Sequence, residues 1–154
     1  MEWHIYIDGA SSCNPGASGA GIVVFDNNGN ELFRDSIYLG HMTNNMAEYE
    51  ALIRALRKAE QSSIKYISVY TDSLLVANQV LGKYRVKNVG LKVYVEEIKK
   101  IIRNFTSFAL QYIPREENRL ADKLAKDAIK KRGRRVVAPF NGEESLGIKG
   151  QDGP

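Results

Sequence analysis

Four acidic residues lie where a folded chain can bring their carboxylates together. Asp8 and Asp72 each stand at the carboxyl end of a predicted strand, in "HIYID" and "VYTD", and open α/β sheets bind ligands outside those ends. Glu48 falls in the second turn of one predicted helix and Asp122 in the first turns of another. Carboxylates brought close together repel unless they are protonated or share a cation. The set is therefore a candidate metal site at one edge of a sheet.

Each acid taken alone also fits a purely local role. An Asp at a strand end commonly bonds its own backbone in a turn, and Asp122 suits the positive end of a helix dipole. Two further acids are predicted to lie outside the cluster. Glu50 is ~200° around the helix from Glu48, and Asp127 is ~140° around from Asp122. We expect both to face solvent.

The elements that must position these acids follow the order β-β-β-α-β-α-α-β-α. Strands are predicted over residues 3–8, 18–25, 31–40, 64–72 and 105–113. Helices are predicted over residues 43–60, 73–81, 89–103 and 117–132, where apolar side chains recur every three to four positions. An Asn-Gly turn in "DNNGN" joins the second and third strands as a hairpin. The order predicts an α/β fold with a five-stranded mixed sheet, three antiparallel strands and then parallel ones, and helices on both faces.

Composition and charge narrow the function classes. The chain has 154 residues, of which 44% are hydrophobic and 26% charged, as in a globular domain. No apolar run approaches the ~20 residues that span a bilayer, and none resembles a signal peptide, so we expect a cytoplasmic protein with no membrane partner. A single cysteine, Cys13, excludes an intramolecular disulfide and a CxxC metal site. A net charge of +4 suits a polyanionic partner without establishing one.

The character of the chain changes after Gly133. The stretch "GRRVVAPFNGEESLGIKGQDGP" has no clear period and holds five glycines. We predict that residues 134–154 form a C-terminal tail, which is either disordered or docks as a short strand at "RVVAPF".

Four motifs in this order make the chain resemble the type 1 ribonuclease H family. They are "YIDGASSCNPG", "TNNMAEYEALIRAL", "VYTDS" and "ENRLADKLA", and the resemblance covers about residues 2–132. It implies a ribonuclease H-like fold, with a catalytic domain over residues 1–133. It implies an endoribonuclease that hydrolyses the RNA strand of RNA–DNA hybrids and leaves 5′-phosphate and 3′-hydroxyl ends. The catalytic and metal-ligating residues that it implies are Asp8, Glu48, Asp72 and Asp122.

The cofactor implied by the resemblance is a pair of Mg²⁺ or Mn²⁺ ions. Four carboxylates carry enough negative charge to match two divalent cations, and their hard oxygen atoms suit Mg²⁺. Two ions ~3.5–4 Å apart can serve an in-line displacement at phosphorus, one at the attacking water and one at the leaving oxygen. The implied partner is an RNA–DNA hybrid, and no obligate protein partner is evident.

The resemblance also implies which residues contact the hybrid. Asn14, Asn44 and backbone amides of residues 9–13 would line the side that senses the RNA 2′-hydroxyl. Thr43 and Asn45 would contact the DNA strand, although Thr43 and Asn44 also suit helix capping. The full predicted set is Gly9, Ser12, Cys13, Asn14, Thr43, Asn44, Asn45, Ser73 and Asn118.

Two features depart from the family pattern. Many bacterial members place a histidine in a flexible loop before the last helix, where this chain has the compact "IPREEN". Arg115 and Glu116 are the candidates to take its place, since His4 and His41 lie elsewhere. The basic protrusion of some members is replaced by the short link "GKYRVKN", and no separate hybrid-binding domain is recognised. We therefore expect modest affinity that depends strongly on salt.

Two other functions stay open on the sequence. One is a catalytically silent hybrid-binding module, which would be free to lose acids that are costly without metal. The other is an integrase- or transposase-like nuclease of the same fold, which depends on three acids and usually on extra domains. The fourth acid, Asp122, and the polar run Thr43–Asn45 argue against this nuclease, and retention of all four carboxylates argues against the silent module.

Overall fold

A single mixed sheet organises residues 1–132, the part of the chain that the structure, a computed structural model, describes. Its strands run in the order β3-β2-β1-β4-β5. They are β1 (Glu2–Ser11), β2 (Gly16–Phe25), β3 (Glu31–Met42), β4 (Tyr66–Thr71) and β5 (Ser107–Tyr112). The helices are α1 (Asn44–Gln61), α2 (Leu74–Val80), α3 (Val89–Ile102) and α4 (Arg119–Lys130). The predicted α/β fold is confirmed, while the predicted tail lies outside the described residues.

Helices cover both faces of this sheet. On one face α1 packs against β1 and β2, and α3 packs against α1. Ile5, Leu52, Val69 and Ile98 are completely buried in the resulting core. On the other face α4 crosses β2, with further contacts to β1 and β3. α4 begins at Arg119, directly after Asn118, whose side chain donates a hydrogen bond to the Ile7 carbonyl oxygen of β1.

The central strand β1 pairs with two strands, and one of these pairings ends at the site. Its parallel pairing with β4 ends where Ile7 lies beside Thr71, but its antiparallel pairing with β2 continues to Ser11. The prediction that the first strand ends at Asp8 is therefore wrong, because β2 carries the ladder three residues further. Asp8 follows the last residue that pairs with β4, just as Asp72 follows the last residue of that strand.

Two glycines let helices approach the sheet where the acids lie. A Cβ atom on Gly9 would stand 2.3 Å from the carbonyl carbon and oxygen of Ala47, and one on Gly21 would stand 2.0 Å from the carbonyl oxygen of Ala121. These obstacles are backbone atoms, so only glycine permits the contacts. Each contacted alanine immediately precedes an acid of the cluster, Glu48 or Asp122.

Short polar side chains cap the starts of three helices. Thr43, Ser73 and Asn88 each accept a hydrogen bond from a backbone N–H in the first turn of α1, α2 or α3. The predicted start of the last helix at residue 117 is wrong. A 3₁₀ turn over Arg115–Glu117 comes first, and Asn118 separates it from α4. Within residues 1–132, every helix is too short or too polar to cross a membrane.

Candidate active site

Three carboxylates from three different elements converge at the edge of the sheet. Asp8 comes from β1, Glu48 from α1, and Asp72 directly follows β4. Each offers an oxygen atom that lies within 4.8 Å of those of the other two, close to the ~4 Å that separates opposite ligands of Mg²⁺. Asp8 and Glu48 are only 5% and 6% exposed. Buried carboxylates this close together are typical of a site that holds a cation.

Asp122 joins the other three acids. Its carboxyl group lies close enough to that of Asp8 to contribute to the raised pKa of Asp8, because α4 rests on Gly21, the residue opposite Asp8 in the antiparallel ladder. Two cations of the chain approach the exposed side of Asp122, Lys126 Nζ at 3.1 Å and Arg115 Nη2 at 3.9 Å. The structure thus brings the four predicted acids together.

Burial and mutual repulsion raise the pKa values of the two most enclosed acids. The pKa of Asp8 is raised to about 10, first by burial and then by the charges of Glu48 and Asp72. Burial raises the pKa of Glu48 to about 8, and Asp72 adds to this rise. A hydrogen bond from the Gly9 N–H to Glu48 Oε1, at 2.9 Å, opposes it. Without a cation, burial and repulsion therefore favour the protonated forms of this pair.

This donor set fits divalent metal. The residues that converge offer hard carboxylate oxygens, which suit Mg²⁺ and Mn²⁺. Two of them are buried, where a negative charge needs a counterion. Asp8, Glu48, Asp72 and Asp122 would be the ligands.

Asn118 donates hydrogen bonds to two parts of the site. It is 2% exposed, and its Nδ2 donates to the Ile7 carbonyl oxygen at 2.8 Å and to Asp72 Oδ2 at 3.2 Å. One amide group thus connects β1, Asp72 and the start of α4. The predicted contact of Asn118 with substrate stays a prediction, but its amide faces groups of the protein. The sequence signal for this positioning role was its place at the boundary of the last helix.

The predicted substrate-binding residues of the first loop lie against the start of α1. The backbone N–H of Asn44 donates to Asn14 Oδ1 at 2.9 Å, and Ser18 Oγ donates to the Met42 carbonyl oxygen. These bonds hold the loop of residues 12–15, which is exposed, beside the end of α1 that carries Glu48. Asn45 lies in the first turn of α1.

Two hydroxyl groups predicted to contact substrate also cap helices. Thr43 Oγ1 accepts from the Met46 N–H at 3.2 Å, and Ser73 Oγ accepts from the Val76 N–H at 3.1 Å. A hydroxyl that accepts one bond can still donate its own proton. Capping therefore leaves Thr43 and Ser73 able to donate to a phosphate.

Arg115 and Glu116, the candidates to replace the loop histidine, differ in position. Arg115 lies beside Asp122, and its charge acts to lower the pKa of Glu48. Glu116 is exposed, and its carbonyl oxygen accepts from Arg119 Nε at 3.2 Å. The geometry therefore favours Arg115 over Glu116.

Glu50 corrects one sequence expectation. It lies outside the cluster as predicted, but it does not face solvent. Its carboxylate accepts from Arg54 Nε at 3.2 Å and from the Tyr94 hydroxyl at 2.7 Å. The reason is tertiary, since α3 packs over this side of α1 and brings Tyr94 to Glu50.

Comparison with known proteins relates the chain to ribonucleases H. A family model described as "Reverse transcriptase-like" matches residues 6–128. Ribonuclease HI of Halobacterium salinarum is 33% identical over 126 residues, which cover 82% of this chain and 63% of that protein. The putative hydrolase EbsB of Enterococcus faecalis is 33% identical over 129 residues, covering 82% of this chain and 93% of EbsB.

Solved structures show the same relationship. The crystal structure of RNase H1 from Halobacterium salinarum matches with a TM-score of 0.83 and 32% identity, covering 85% of this chain and 99% of that one. LC11-RNase H1, isolated from compost by a metagenomic approach, was solved in complex with an RNA/DNA hybrid. That structure matches with a TM-score of 0.79 and 40% identity, covering 84% and 97% of the two chains. By sequence and by fold, this chain belongs to the type 1 ribonuclease H family.

Proposed function

We propose that this protein is a ribonuclease H, an endonuclease that hydrolyses the RNA strand of RNA–DNA hybrids. The observation that carries the proposal is the convergence of Asp8, Glu48 and Asp72, of which the first two are buried, with Asp122 beside Asp8. The relative LC11-RNase H1, solved in complex with an RNA/DNA hybrid, supports the substrate class. The products would carry 5′-phosphate and 3′-hydroxyl ends.

Divalent metal fits this function. Two Mg²⁺ or Mn²⁺ ions held by the four acids would lower the pKa of bound water and neutralise charge that develops at the phosphate. The chain contributes the orientation of the ligands. The Gly9 N–H holds one oxygen of Glu48, and the Asn118 amide holds one oxygen of Asp72. Partial exclusion of water at Asp8 and Glu48 strengthens every charge interaction there.

Selection of RNA would depend on the loop beside α1. Its exposed residues Ser12, Cys13 and Asn14 offer small side chains and backbone amides, and Asn44 and Asn45 offer side-chain amides at the start of the helix. Such groups can donate to, or accept from, a 2′-hydroxyl without filling the groove. The hydrogen bond from the Asn44 backbone N–H to Asn14 Oδ1 supports this role, because it fixes the Asn14 side chain at the start of α1.

Arg115 would take the place of the loop histidine through its charge alone. A guanidinium group keeps its proton throughout the physiological pH range and cannot act as a base. Its position beside Asp122 supports a role in stabilising negative charge on the scissile phosphate or the product.

The decisive experiment measures cleavage of three kinds of duplex. RNA–DNA hybrid, duplex RNA and duplex DNA are incubated with Mg²⁺ or Mn²⁺ and either the unmodified protein or Asp8→Asn. We expect efficient cleavage of the RNA strand of the hybrid alone, and no cleavage by Asp8→Asn. Asp127→Asn is the matched control, since Asp127 lies on α4 but pairs with Lys123, and it should retain activity.

The other outcomes identify the alternatives. Cleavage of duplex DNA would indicate an integrase- or transposase-like nuclease. Binding of hybrid without cleavage would indicate a silent module. An active Asp8→Asn protein would contradict the proposed site itself.

The role of Arg115 is tested separately. Arg115→Ala is expected to lower kcat about 10-fold or more, with partial recovery in Arg115→Lys, which keeps the charge. Glu116→Ala should leave the rate unchanged. If single-turnover and steady-state rates are unaffected in both alanine variants, neither residue replaces the histidine.

A further inference from the structure

Four basic side chains form a line along the exposed side of α4. Arg119, Lys123, Lys126 and Lys130 are all exposed, and their spacing places them within about 60° of one another around the helix axis. We call these four residues the α4 stripe. Their common direction is away from the sheet, since the residues between them that face it, such as Ala121 and Ala125, are buried.

The excess positive charge of the chain lies on α4 and on the two residues that follow it. Residues 119–132 contain six Lys or Arg and two Asp, a net charge of +4. The whole chain also has a net charge of +4, from 22 basic and 18 acidic residues. The rest of the chain therefore holds 16 of each sign. Along the sequence, the net positive charge is therefore concentrated on α4 and the two residues after it.

The ion pairs within the stripe are weak enough to be exchanged. Lys123 Nζ lies 2.8 Å from Asp127 Oδ2, and Lys126 Nζ lies 3.1 Å from Asp122 Oδ2. Both lysine side chains are more than half exposed, and pairs of this kind contribute about 0–1 kcal/mol. A phosphate that approaches the helix can therefore replace the aspartates as partner.

The stripe begins at the catalytic edge and leads away from it. Lys126 contacts Asp122 of the acidic cluster, and Arg119 follows Asn118, the residue that holds Asp72. From Arg119 to Lys130 the helix advances ~16 Å. Phosphates of one strand recur every ~3.4 Å along a duplex, so the stripe matches about five of them.

We propose that the α4 stripe binds the phosphate backbone of nucleic acid that flanks the cut site. The proposal extends the proposed function by giving the enzyme a second contact surface, apart from the residues that recognise the hybrid. Lys and Arg contacts to phosphate carry no direct information on sequence. The stripe therefore adds affinity for hybrid and for duplex DNA alike, and leaves the choice of strand to the active site.

The test compares two variants with the same change in charge. Lys123→Gln with Lys130→Gln removes two cations of the stripe and avoids Lys126, which contacts Asp122. Lys99→Gln with Lys100→Gln is the control, because both lysines are exposed and lie in the last turn of α3, near the edge where β4 and β5 begin. Lys and Gln have similar helix propensities, so both variants should fold.

Binding is measured in the Asp8→Asn background with a hybrid and a duplex DNA of about 30 base pairs, each ~100 Å long. For both duplexes, the stripe variant should reduce the slope of log K against log salt concentration by about 1.8. Affinity should then fall about tenfold less between 50 and 200 mM salt than without the lysine changes. The control should keep the full slope. With Asp8 present, the stripe variant should keep its kcat at saturating hybrid.

Equal slopes for the stripe variant and the control would overturn the proposal, whether both fall or neither does. A change with hybrid but not with DNA would also overturn it. The proposed function fails by a different result, the absence of hybrid cleavage by the unmodified protein.

Discussion

The Asp8 and Glu48 carboxyl groups can be buried close together only because protons or a cation compensate their negative charge. Each is almost completely buried, and repulsion adds to the effect of burial, since Glu48 and Asp72 raise the pKa of Asp8 and Asp72 raises that of Glu48. In the absence of metal, protons supply the compensation. When a divalent cation is bound, the same carboxylates are its ligands. The two proposed metal ligands Asp8 and Glu48 therefore also affect the stability of the metal-free protein.

This coupling predicts how stability depends on pH. The folded pKa of Asp8, about 10, and that of Glu48, about 8, both exceed the value near 4 of an unfolded chain. The folded protein thus binds more protons, and its stabilisation is complete below about pH 4 and lost as pH rises toward 10. Without metal, the free energy of unfolding should fall by about 1–3 kcal/mol per pH unit between pH 5 and 8, since each of the two groups contributes up to ~1.4 kcal/mol per pH unit.

Denaturant unfolding at several pH values in a chelator measures this slope. Asp8→Asn should reduce this slope and raise stability at pH 7 by about 1–3 kcal/mol, because a neutral amide of the same shape replaces a buried carboxyl group that must bind a proton to be neutral. Mg²⁺ should stabilise the unmodified protein more at pH 8 than at pH 6. A slope that is the same in both proteins would show that Asp8 is not the group that titrates.

Asn118 is predicted to act through Asp72. Asn118→Ala removes the donor to both the Ile7 carbonyl and Asp72, which should cost about 1–3 kcal/mol of stability. If the residue only supported the fold, kcat and metal affinity of the folded fraction would not change. We expect instead that the Mg²⁺ concentration for half-maximal activity rises about 10-fold or more, and that excess Mg²⁺ restores part of the rate.

At the scale of elements, two helices reach the sheet by the same device. Gly9 receives the backbone of α1 at Ala47, and Gly21 receives the backbone of α4 at Ala121. The next residue in each helix is an acid of the cluster. Close approach of backbone to backbone is thus what delivers Glu48 and Asp122 to opposite sides of Asp8.

Gly21→Ala is predicted to displace α4. Its new Cβ would stand 2.0 Å from a backbone oxygen, so the helix must move, with a loss of stability of about 1–3 kcal/mol. Activity should fall more than stability, since Asp122 moves with the helix. Gly90→Ala is the control, because there the new Cβ meets only Asn88 Oδ1 at 3.3 Å. The melting temperature and kcat of both variants are measured. Equal losses in Gly21→Ala and Gly90→Ala would contradict this account.

At the scale of the whole molecule, the described residues 1–132 contain the complete sheet and the acidic cluster. The five strands, the four helices and the four acids are all in this range. We therefore propose that residues 1–133 form the catalytic domain, and that residues 134–154 are accessory to it.

A chain truncated after Gly133 is predicted to cleave hybrid with a kcat close to that of the full chain. Its melting temperature tests the two roles considered for the tail. A fall of about 5 °C or more, equivalent to roughly 1 kcal/mol in a domain of this size, would mean that the tail docks on the domain. Loss of hybrid cleavage by a truncated chain that still folds would contradict the proposed boundary.

Much of this protein could be predicted from local patterns. Three-to-four spacings of apolar residues predict the long helices, because that period reflects which side of a helix is buried. Runs of β-branched and aromatic residues, such as residues 64–72, predict strands. Four acids stood out because each lies near an element end, as Asp72 does after β4. The Asn-Gly turn between β2 and β3 likewise follows from local backbone preference.

Only the tertiary structure decided how far β1 extends, what Asn118 touches and where Glu50 points. Each depends on a neighbour distant in sequence: β2 continues the ladder past Asp8, Ile7 and Asp72 accept from Asn118, and Tyr94 of α3 reaches Glu50. The pKa values of Asp8 and Glu48 belong to the same class, since burial and repulsion arise only once separate elements meet. Spacing along the chain determines which face a residue occupies, but packing determines what it meets there.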